Sequence, residues 1–404
     1  MPRFTPFRAL RYARPNLDDL VAPPYDVIDD AGRQALIERH PANAVRIDFP
    51  RRDVTGPVDG YQEAAELLRA WRSGGTIRLD ATPTFSIYRM TVIDSHGRMR
   101  RTTGVLGALT LEEPGTGTIL PHEETTSKDK ADRLTLLRAT GVNTSPIWGL
   151  SMAEGLASTY RPDGQPDASA TDGDGVLHEL WALRDPARLT AITEYVATAP
   201  VVIADGHHRF ETALAYQHEA SHPGAEALLC YLVELAADEL EVRPIHRIVT
   251  TDPDCDAIAA LEPWFDAGEE VEIDSTDDVA TVAMLEGNQA LACLSGTSVR
   301  LLRPSAGVFD TDVTLDSQRV RIALDALQPT PVHGVRFHHS VATVAAAARA
   351  RAQGSASTDF GLLLRPASVA QIRAVAETRA RMPAKTTFFW PKPRSGMVFR
   401  PLEP

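Results

Sequence analysis

Val201-Val-Ile-Ala-Asp-Gly-His-His-Arg-Phe-Glu-Thr-Ala-Leu214 is an apolar run that ends abruptly in polar residues and then becomes amphipathic. This change of pattern predicts a β-strand, a tight turn and an α-helix. A helix N-terminus attracts anions, glycine lets the backbone come close to a ligand, and an arginine can bind a phosphate through two nitrogens. We therefore predict an anion site at Asp205, Gly206, His207, His208 and Arg209. The alternative is a plain β–α turn, with Asp205 as the helix cap and two surface histidines.

Composition and charge narrow the class of protein. The chain has 404 residues, of which 43% are hydrophobic and 24% are charged, as in ordinary globular enzymes. Its 54 acidic and 41 basic residues give a net charge of −13, which opposes binding to nucleic acid or to anionic membranes. The N-terminus lacks an apolar leader, and no apolar stretch reaches the roughly 18 residues of a membrane helix. We therefore expect a cytoplasmic protein with a small-molecule substrate and with no nucleic-acid or membrane partner.

Hydrophobic periodicity predicts an α+β fold. Two apolar runs, 84–93 and 102–109, are separated by a glycine-containing turn and predict a β-hairpin. Residues 341–352 are rich in alanine and arginine and predict a helix. Residues 225–235 form a strand or a helix, and residues 160–175, which have almost no apolar content, predict a loop. The expected organisation has an N-terminal α+β part at 1–150, a phosphate-box core at 176–250, an appended α+β unit at 251–330 and a C-terminal helix with a basic tail at 331–404.

Two segments concentrate groups that are suited to acid–base chemistry. Val21-Ala-Pro-Pro-Tyr-Asp-Val-Ile28 places a stiff proline pair before Asp26. Leu120-Pro-His-Glu-Glu-Thr-Thr126 places a histidine and two carboxylates beside two hydroxyls. His122 and Glu123 are therefore candidates to take up a proton in catalysis. A capped helix start explains this second segment equally well, because its threonines also fit an N-cap box.

Two further segments supply cations. Val242-Arg-Pro-Ile-His-Arg-Ile-Val249 holds His246 and Arg247 in a strand-like apolar context, where a polar pair needs partners. Near the C-terminus, Lys385 and Lys392 flank an aromatic run and precede a Ser-Gly turn. These cations can hold a polyanion, although solvated lysines on a tail are the alternative.

Together these motifs resemble the family called domain of unknown function 1015. The resemblance spans nearly the whole chain and rests on Ala22-Pro-Pro-Tyr-Asp26, Pro121-His-Glu123, Asn143-Thr-Ser-Pro146, Ala204-Asp-Gly-His-His-Arg-Phe-Glu211, Pro244-Ile-His-Arg247 and Lys385-Thr-Thr-Phe-Phe-Trp-Pro-Lys392. The Asp-Gly-His-His-Arg box is similar to the phosphate-binding box of the ParB/sulfiredoxin superfamily, which includes free-serine kinases. The resemblance implies an α+β fold of mixed sheets with flanking helices, in which a ParB/sulfiredoxin-like nucleotide-binding core carries an appended α+β unit. His207 stands where sulfiredoxin has its cysteine, so sulfinic acid reduction is not expected.

Three functions are consistent with these residues. The first, which we expect, is nucleotide-dependent phosphoryl transfer that involves a small hydroxyl metabolite. The resemblance implies serine or phosphoserine, in the kinase or phosphatase direction, with ATP or ADP and Mg²⁺ as cofactors. The second is a nucleotide-gated module that binds CTP or ATP without metabolic turnover. The third is a metal-dependent hydrolase with His207, His208, Asp205 and Glu123 as ligands.

The expected roles follow from the first function. Glu123 is the expected general base, with His122 and Glu124 as competitors and Asp26 as the next candidate. Glu123 and Asp205 are the expected metal ligands. The nucleotide is expected to contact the box residues and four further side chains: His246, Arg247, Lys385 and Lys392. Because ligand sites gather at strand ends, we expect these residues to line one cleft. Because few apolar residues are lost with 383–404 beyond Phe388, Phe389 and Trp390, deleting that segment is expected to impair turnover more than thermal stability.

Overall fold

The apolar run at 201–205 forms an inner strand of a nine-stranded mixed sheet. The computed structural model describes residues 1–50, 59–93, 98–113, 115, 117–121, 123, 130–220, 222–236, 240–352 and 358–403, without the side chains of residues 130 and 352. The chain forms two units, of which the first comprises Met1–Leu240 and Pro391–Pro404 and the second comprises Glu241–Trp390.

The first unit contains the mixed sheet. Its strands are β1 (Phe4–Thr5), β2 (Leu10–Tyr12), β3 (Ile77–Leu79), β4 (Phe85–Ile93), β5 (Met99–Thr110), β6 (Ile119–Pro121), β7 (Val142–Asn143), β8 (Ile147–Ser151), β9 (Ala168–Thr171), β10 (Leu177–Leu183), β11 (Val201–Asp205), β12 (Ala227–Glu234) and, near the C-terminus, β21 (Arg400–Pro401). The sheet order is β6-β11-β8-β12-β5-β4-β10-β9, with β1 beside β5. Two pairs, β6 with β11 and β8 with β12, are parallel, and the others are antiparallel. Short pairs β2–β3 and β7–β21 lie outside this sheet.

Three of the described helices of the first unit begin at an aspartate that caps the helix. The helices of this unit are α1 (Asp30–Arg39), α2 (Val45–Asp48), α3 (Gly60–Ser73), α4 (Lys130–Thr140), α5 (Pro186–Val196) and α6 (His207–Glu219), with 3₁₀ turns at Tyr25–Val27, Leu156–Ser158 and Pro223–Glu226. The side chains of Asp29, Asp59 and Asp185 accept hydrogen bonds from backbone N–H groups in the first turns of α1, α3 and α5. Such caps satisfy N–H groups that have no partner within the helix.

The core of the first unit explains the unbroken apolar run of β11. Val201 and Ile203 pack in a cluster with Phe210 of α6 and Ile192 of α5, while Val202 on the opposite face is also fully buried. A strand that is buried on both faces needs apolar residues at every position rather than at alternate ones. The core therefore fixes the carboxyl end of β11, where the polar box begins.

The second unit is built on a six-stranded antiparallel sheet of order β15-β17-β16-β19-β14-β18. Its strands are β13 (Glu241–Pro244), β14 (His246–Thr251), β15 (Phe265–Glu270), β16 (Leu291–Ser295), β17 (Ser298–Pro304), β18 (Val332–His338), β19 (Asp359–Leu363) and β20 (Thr387–Trp390), and β13 pairs with β20 outside the sheet. Its helices are α7 (Ala257–Leu261), α8 (Asp278–Gly287), α9 (Asp316–Ala326), α10 (Val341–Ala352) and α11 (Val369–Glu377).

Both faces of this second sheet are covered. Val249 and Leu302 belong to one apolar cluster together with residues of α7 and α9. Their neighbours Ile248 and Leu301 belong to a second cluster together with residues of α8 and α10. Because successive side chains of a strand point to opposite faces, the two clusters form two cores on either side of the sheet.

Most of the expected elements are confirmed, including the α+β class and the helix at 341–352. β4 and β5 pair antiparallel as the predicted hairpin, and residues 225–235 contain strand β12 rather than a helix. The prediction of a loop throughout 160–175 is wrong, because β9 pairs with β10 and backbone pairing needs no apolar side chains. Across the described residues, no helix has both the length and the apolar composition of a membrane-spanning segment.

Candidate functional site

The turn between β11 and α6 requires glycine. Gly206 has φ +87°, a left-handed backbone conformation that strains other residues. A Cβ atom at this position would lie 2.9 Å from Ile147 Cγ2 and 3.0 Å from Arg209 Nε. β11 ends at Asp205 and α6 begins at His207, so the predicted arrangement of strand, turn and helix is confirmed.

The Asp205 carboxylate joins two cations at this turn. Arg209 Nη2 donates to Asp205 Oδ2 over 2.8 Å, and Lys392 Nζ donates to Asp205 Oδ1. The exposed fraction is 10% for the Arg209 and Lys392 side chains and 16% for Asp205. Burial alone would raise the pKa of the Asp205 carboxyl, but Lys392 and Arg209 hold that pKa well below its usual range. Asp205 is therefore ionised at neutral pH, and we call Asp205, Arg209 and Lys392 the Asp205 clamp.

Arg209 is fixed from two sides. Its Nη1 donates to the carbonyl oxygen of Pro146, while Nη2 donates to Asp205. Burial alone would lower the pKa of the guanidinium, but the charges of Asp205 and, next in size, Asp26 raise it. Asp26 is an exposed residue in the 3₁₀ turn at Tyr25–Val27. The structure thus brings this predicted residue into the electrostatic environment of the clamp.

Glu123 lies at the same edge of the sheet as the clamp. β6 and β11 are parallel neighbours, with Pro121 opposite Ile203, so both strands end at one edge. Glu123 follows β6 and is buried, and its backbone N–H donates to His207 Nε2 over 3.4 Å. The predicted general base and the phosphate box therefore meet, whereas His122 and Glu124 lie outside the described residues.

His208 follows His207 in the first turn of α6 and is half-buried. The box histidines thus open a 13-residue helix, whose N-terminus carries partial positive charge. Of the described residues, no three histidine, cysteine, aspartate or glutamate side chains gather as a metal site. Each Asp205 oxygen binds one cation in this arrangement. The assignment of Asp205 and Glu123 as metal ligands stays a prediction.

Three predicted nucleotide contacts belong to the second unit. His246 is fully buried in β14, where its Nδ1 accepts from the backbone N–H of Leu364 over 3.1 Å. Burial lowers the pKa of His246 to about 3, so it is neutral at physiological pH. Arg247 is buried over the Phe337 ring, and Lys385 is exposed with φ +59°. The role of these three residues in one cleft with Arg209 stays a prediction.

Sequence reasoning missed the carboxylate of Asp48, which is 1% exposed. Thr144 and Ser145 donate to its Oδ1 over 2.6 and 3.2 Å, and Ser395 donates to its Oδ2 over 2.7 Å. Arg133 lies 3.9 Å from Oδ1 and donates to the Asp48 backbone carbonyl. The available signal was an aspartate between Ile and Phe, because an acid within a buried stretch needs several donors.

A second polar chain was also missed. Tyr88 donates to His178 Nδ1 over 2.7 Å, and His178 Nε2 donates to Asp172 Oδ2 over 2.9 Å. Arg394 Nε also donates to that Asp172 oxygen over 2.9 Å, and the Arg394 backbone N–H donates to the Tyr88 hydroxyl over 3.1 Å. Burial lowers the pKa of His178, which is therefore neutral. Because Arg394 is two residues from Lys392, these hydrogen bonds hold in place the segment that supplies Lys392 to the clamp.

Residues 4–326 match the family model described as a protein of unknown function, DUF1015. The chain therefore belongs to this family, and the resemblance inferred from its motifs is confirmed. No curated protein sequence matches the chain.

Several solved structures show a distant likeness to the chain. A free serine kinase in complex with AMP has a TM-score of 0.37 and 11% identity, over 67% of this chain and 83% of that one. SbnI with a C-terminal truncation, from Staphylococcus aureus, has a TM-score of 0.39 and 12% identity, over 72% of this chain and 85% of that one. A conserved hypothetical protein from Pyrococcus furiosus has a TM-score of 0.35 and 12% identity, over 67% and 87% of the two chains. At these scores, function has to be inferred from the residues of this chain.

Proposed function

We propose that the first unit binds the phosphates of a nucleotide at the Gly206 turn and transfers a phosphoryl group to or from a small hydroxyl metabolite. The observation that carries this proposal is the Asp205 clamp, in which one ionised carboxylate holds Arg209 and Lys392 at a glycine turn before a helix. Serine and phosphoserine are the first metabolites to test, because the box resembles that of free-serine kinases.

The electrostatics of the clamp support an anionic ligand. The clamp by itself carries one net positive charge, from two cations and one carboxylate, and the N-terminus of α6 adds partial positive charge beside it. The Asp26 carboxylate, whose charge acts on Arg209, is not part of the clamp. All three clamp side chains are largely buried, where an ionic hydrogen bond is stronger than in water. Asp205 in this proposal orients the two cations, and Arg209 and Lys392 stabilise the charge of the phosphates.

Glu123 supports transfer rather than binding alone. In the kinase direction its carboxylate accepts the proton of the metabolite hydroxyl as the oxygen attacks the terminal phosphorus of ATP. The new O–P bond forms, the bond between that phosphorus and the bridging oxygen breaks, and ADP leaves with the electron pair. Mg²⁺ would spread the phosphate charge, and Glu123 would be one of its ligands. If Glu123 binds Mg²⁺, it cannot also accept the proton of the hydroxyl, and that role would fall to Asp26 or His122.

The test is transfer of label from [γ-³²P]ATP to a panel of amino acids that includes serine, together with the reverse reaction of phosphoserine with ADP. We expect label in one hydroxyl amino acid, and Glu123→Gln should lower turnover by about 10²–10⁴-fold while nucleotide binding persists. Glu66→Gln, on the exposed face of α3, is the matched control. Nucleotide binding without labelled product or reverse turnover would identify a nucleotide-gated module instead. Unchanged turnover in Glu123→Gln would show that another residue is the general base.

A further inference from the structure

A cavity of about 50 Å³ lies beside Arg209 in the first unit. Arg133, Thr144, Ser145 and Thr212 also line it, together with aliphatic side chains. One buried water needs roughly 10–15 Å³, so the cavity has room for several waters or for one carboxylate or phosphoryl group. It therefore has the size of a subsite for part of a ligand.

Two donors at this cavity lack an acceptor. Arg209 Nε and Thr212 Oγ1 are buried, and neither has a hydrogen-bond partner within the described parts of the chain. The Arg209 side chain is 10% exposed, and Thr212 is 4% exposed. Since a buried donor without a partner is destabilising, and a charged donor more so, this pair requires an acceptor oxygen.

The carboxylate that lines the cavity does not fill this need. Asp48 accepts hydrogen bonds from Thr144 and Ser145 at one oxygen and from Ser395 at the other. It therefore satisfies the hydroxyls around it, while Arg209 Nε and Thr212 Oγ1 keep their hydrogen-bonding capacity. An incoming ligand has to bring its own acceptor.

We propose that this cavity binds a small oxyanion, a carboxylate or a phosphoryl group, through Arg209 Nε and the Thr212 hydroxyl. Arg209 belongs both to the cavity and to the Asp205 clamp, so the bound group lies next to the Gly206 turn. Which ligand supplies this oxyanion rests on the proposed function. It is either the carboxylate or phosphate of the hydroxyl metabolite or a phosphate of the nucleotide.

Thr212→Val is the decisive variant, because valine keeps the shape of threonine and removes only the hydroxyl. Calorimetry with inorganic phosphate, L-serine and ADP as separate probes should show about tenfold weaker binding of at least one of them, as expected for the loss of one hydrogen bond to a charged group. Thr212→Ser, which retains the hydroxyl, should bind that probe like the wild type. Thr190→Val, at an exposed position of α5, is the matched control.

The same variant separates binding from folding. Because the Thr212 hydroxyl has no partner in the described structure, the melting temperature of Thr212→Val should equal or exceed that of the wild type. Weaker phosphate or serine binding with unchanged ADP binding assigns the cavity to the metabolite, and weaker ADP binding assigns it to the nucleotide. A lower melting temperature, unchanged affinity for all three probes, or no binding of any probe by the wild type would overturn the proposal. The nucleotide site itself is tested separately through Lys392.

Discussion

Lys392 donates a hydrogen bond to Asp205 across 187 positions of sequence. The C-terminal segment, which follows the second unit along the chain but belongs to the first, thus contributes a cation to the glycine turn. Arg394 and Ser395, within the same segment, bind Asp172 and Asp48. Three successive side-chain contacts therefore fix this segment where the proposed phosphate site needs it.

Replacing Lys392 by alanine should weaken ADP binding. The variant removes one of the two clamp cations, and a hydrogen bond to a charged group contributes about 1.5–3 kcal/mol. Isothermal titration calorimetry with ADP measures the effect. Lys385→Ala serves as the comparison, because Lys385 lies in the second unit and tests the predicted single cleft. Full ADP affinity in Lys392→Ala would remove this lysine from the site, and full affinity in Lys385→Ala would count against one cleft.

Replacing Gly206 by alanine should destabilise the first unit. The left-handed backbone alone costs about 1–3 kcal/mol for a residue with a side chain, and the new Cβ would also press against Ile147. Gly75→Ala is a matched control, because Gly75 has φ +74° and its Cβ would meet no atom within 4 Å. In urea unfolding, the free energy of unfolding should fall more for Gly206→Ala than for Gly75→Ala. Equal decreases would mean that the close contact of the new Cβ with Ile147 has no effect on stability.

The buried histidine of β14 should make stability depend on pH. His246 has a folded-state pKa of about 3, below the roughly 6.5 of an unfolded chain, so the unfolded state binds more protons between these values. Its contribution to stability is thus fully present above about pH 6.5 and is lost as pH falls toward 3, by at most about 1.4 kcal/mol per pH unit. His246→Asn keeps an acceptor for the Leu364 N–H and removes the titration.

Urea unfolding of the second unit at several pH values measures this dependence. The slope between about pH 6.5 and 4 should be smaller in His246→Asn than in the wild type. Identical slopes in His246→Asn and the wild type would show that His246 is not held neutral by burial.

Removing residues 391–404 should unfold the first unit. Sequence reasoning predicts that deletion of 383–404 impairs turnover more than thermal stability, because few apolar residues beyond Phe388, Phe389 and Trp390 are lost, and that premise is wrong. Met397, Val398, Phe399 and Leu402 are all buried, and each contributes about 1.5–3 kcal/mol. Their sum is comparable with the roughly 5–15 kcal/mol that stabilises a whole domain.

Circular dichroism melting measures this loss. Removing only residues 403 and 404 is the control, because Glu403 is exposed and its loss should leave the melting curve unchanged. A cooperative, wild-type transition in the chain without residues 391–404 would contradict the structural role of the segment.

Local pattern was sufficient for the elements around the box. The run at 201–205 and the helix after Gly206 could be predicted because one is continuously apolar and the other has helical spacing. The same reasoning failed at 160–175, where strand β9 is stabilised by backbone pairing with β10. It also left 225–235 undecided, because β12 is buried on both faces and loses the alternation that identifies strands.

The glycine turn, the class of fold and the residue types of the box could be predicted from the amino-acid sequence, because they depend on residues that are neighbours along the chain. Which distant side chains meet at the box depends on the tertiary structure. Lys392 pairs with Asp205, and Asp48 accepts hydrogen bonds from the hydroxyls of Thr144 and Ser395. These residues meet because of the strand order and the position of the C-terminal segment. Periodicity carries no information about such long-range contacts, since a buried charge is satisfied by any donor that the fold places within reach.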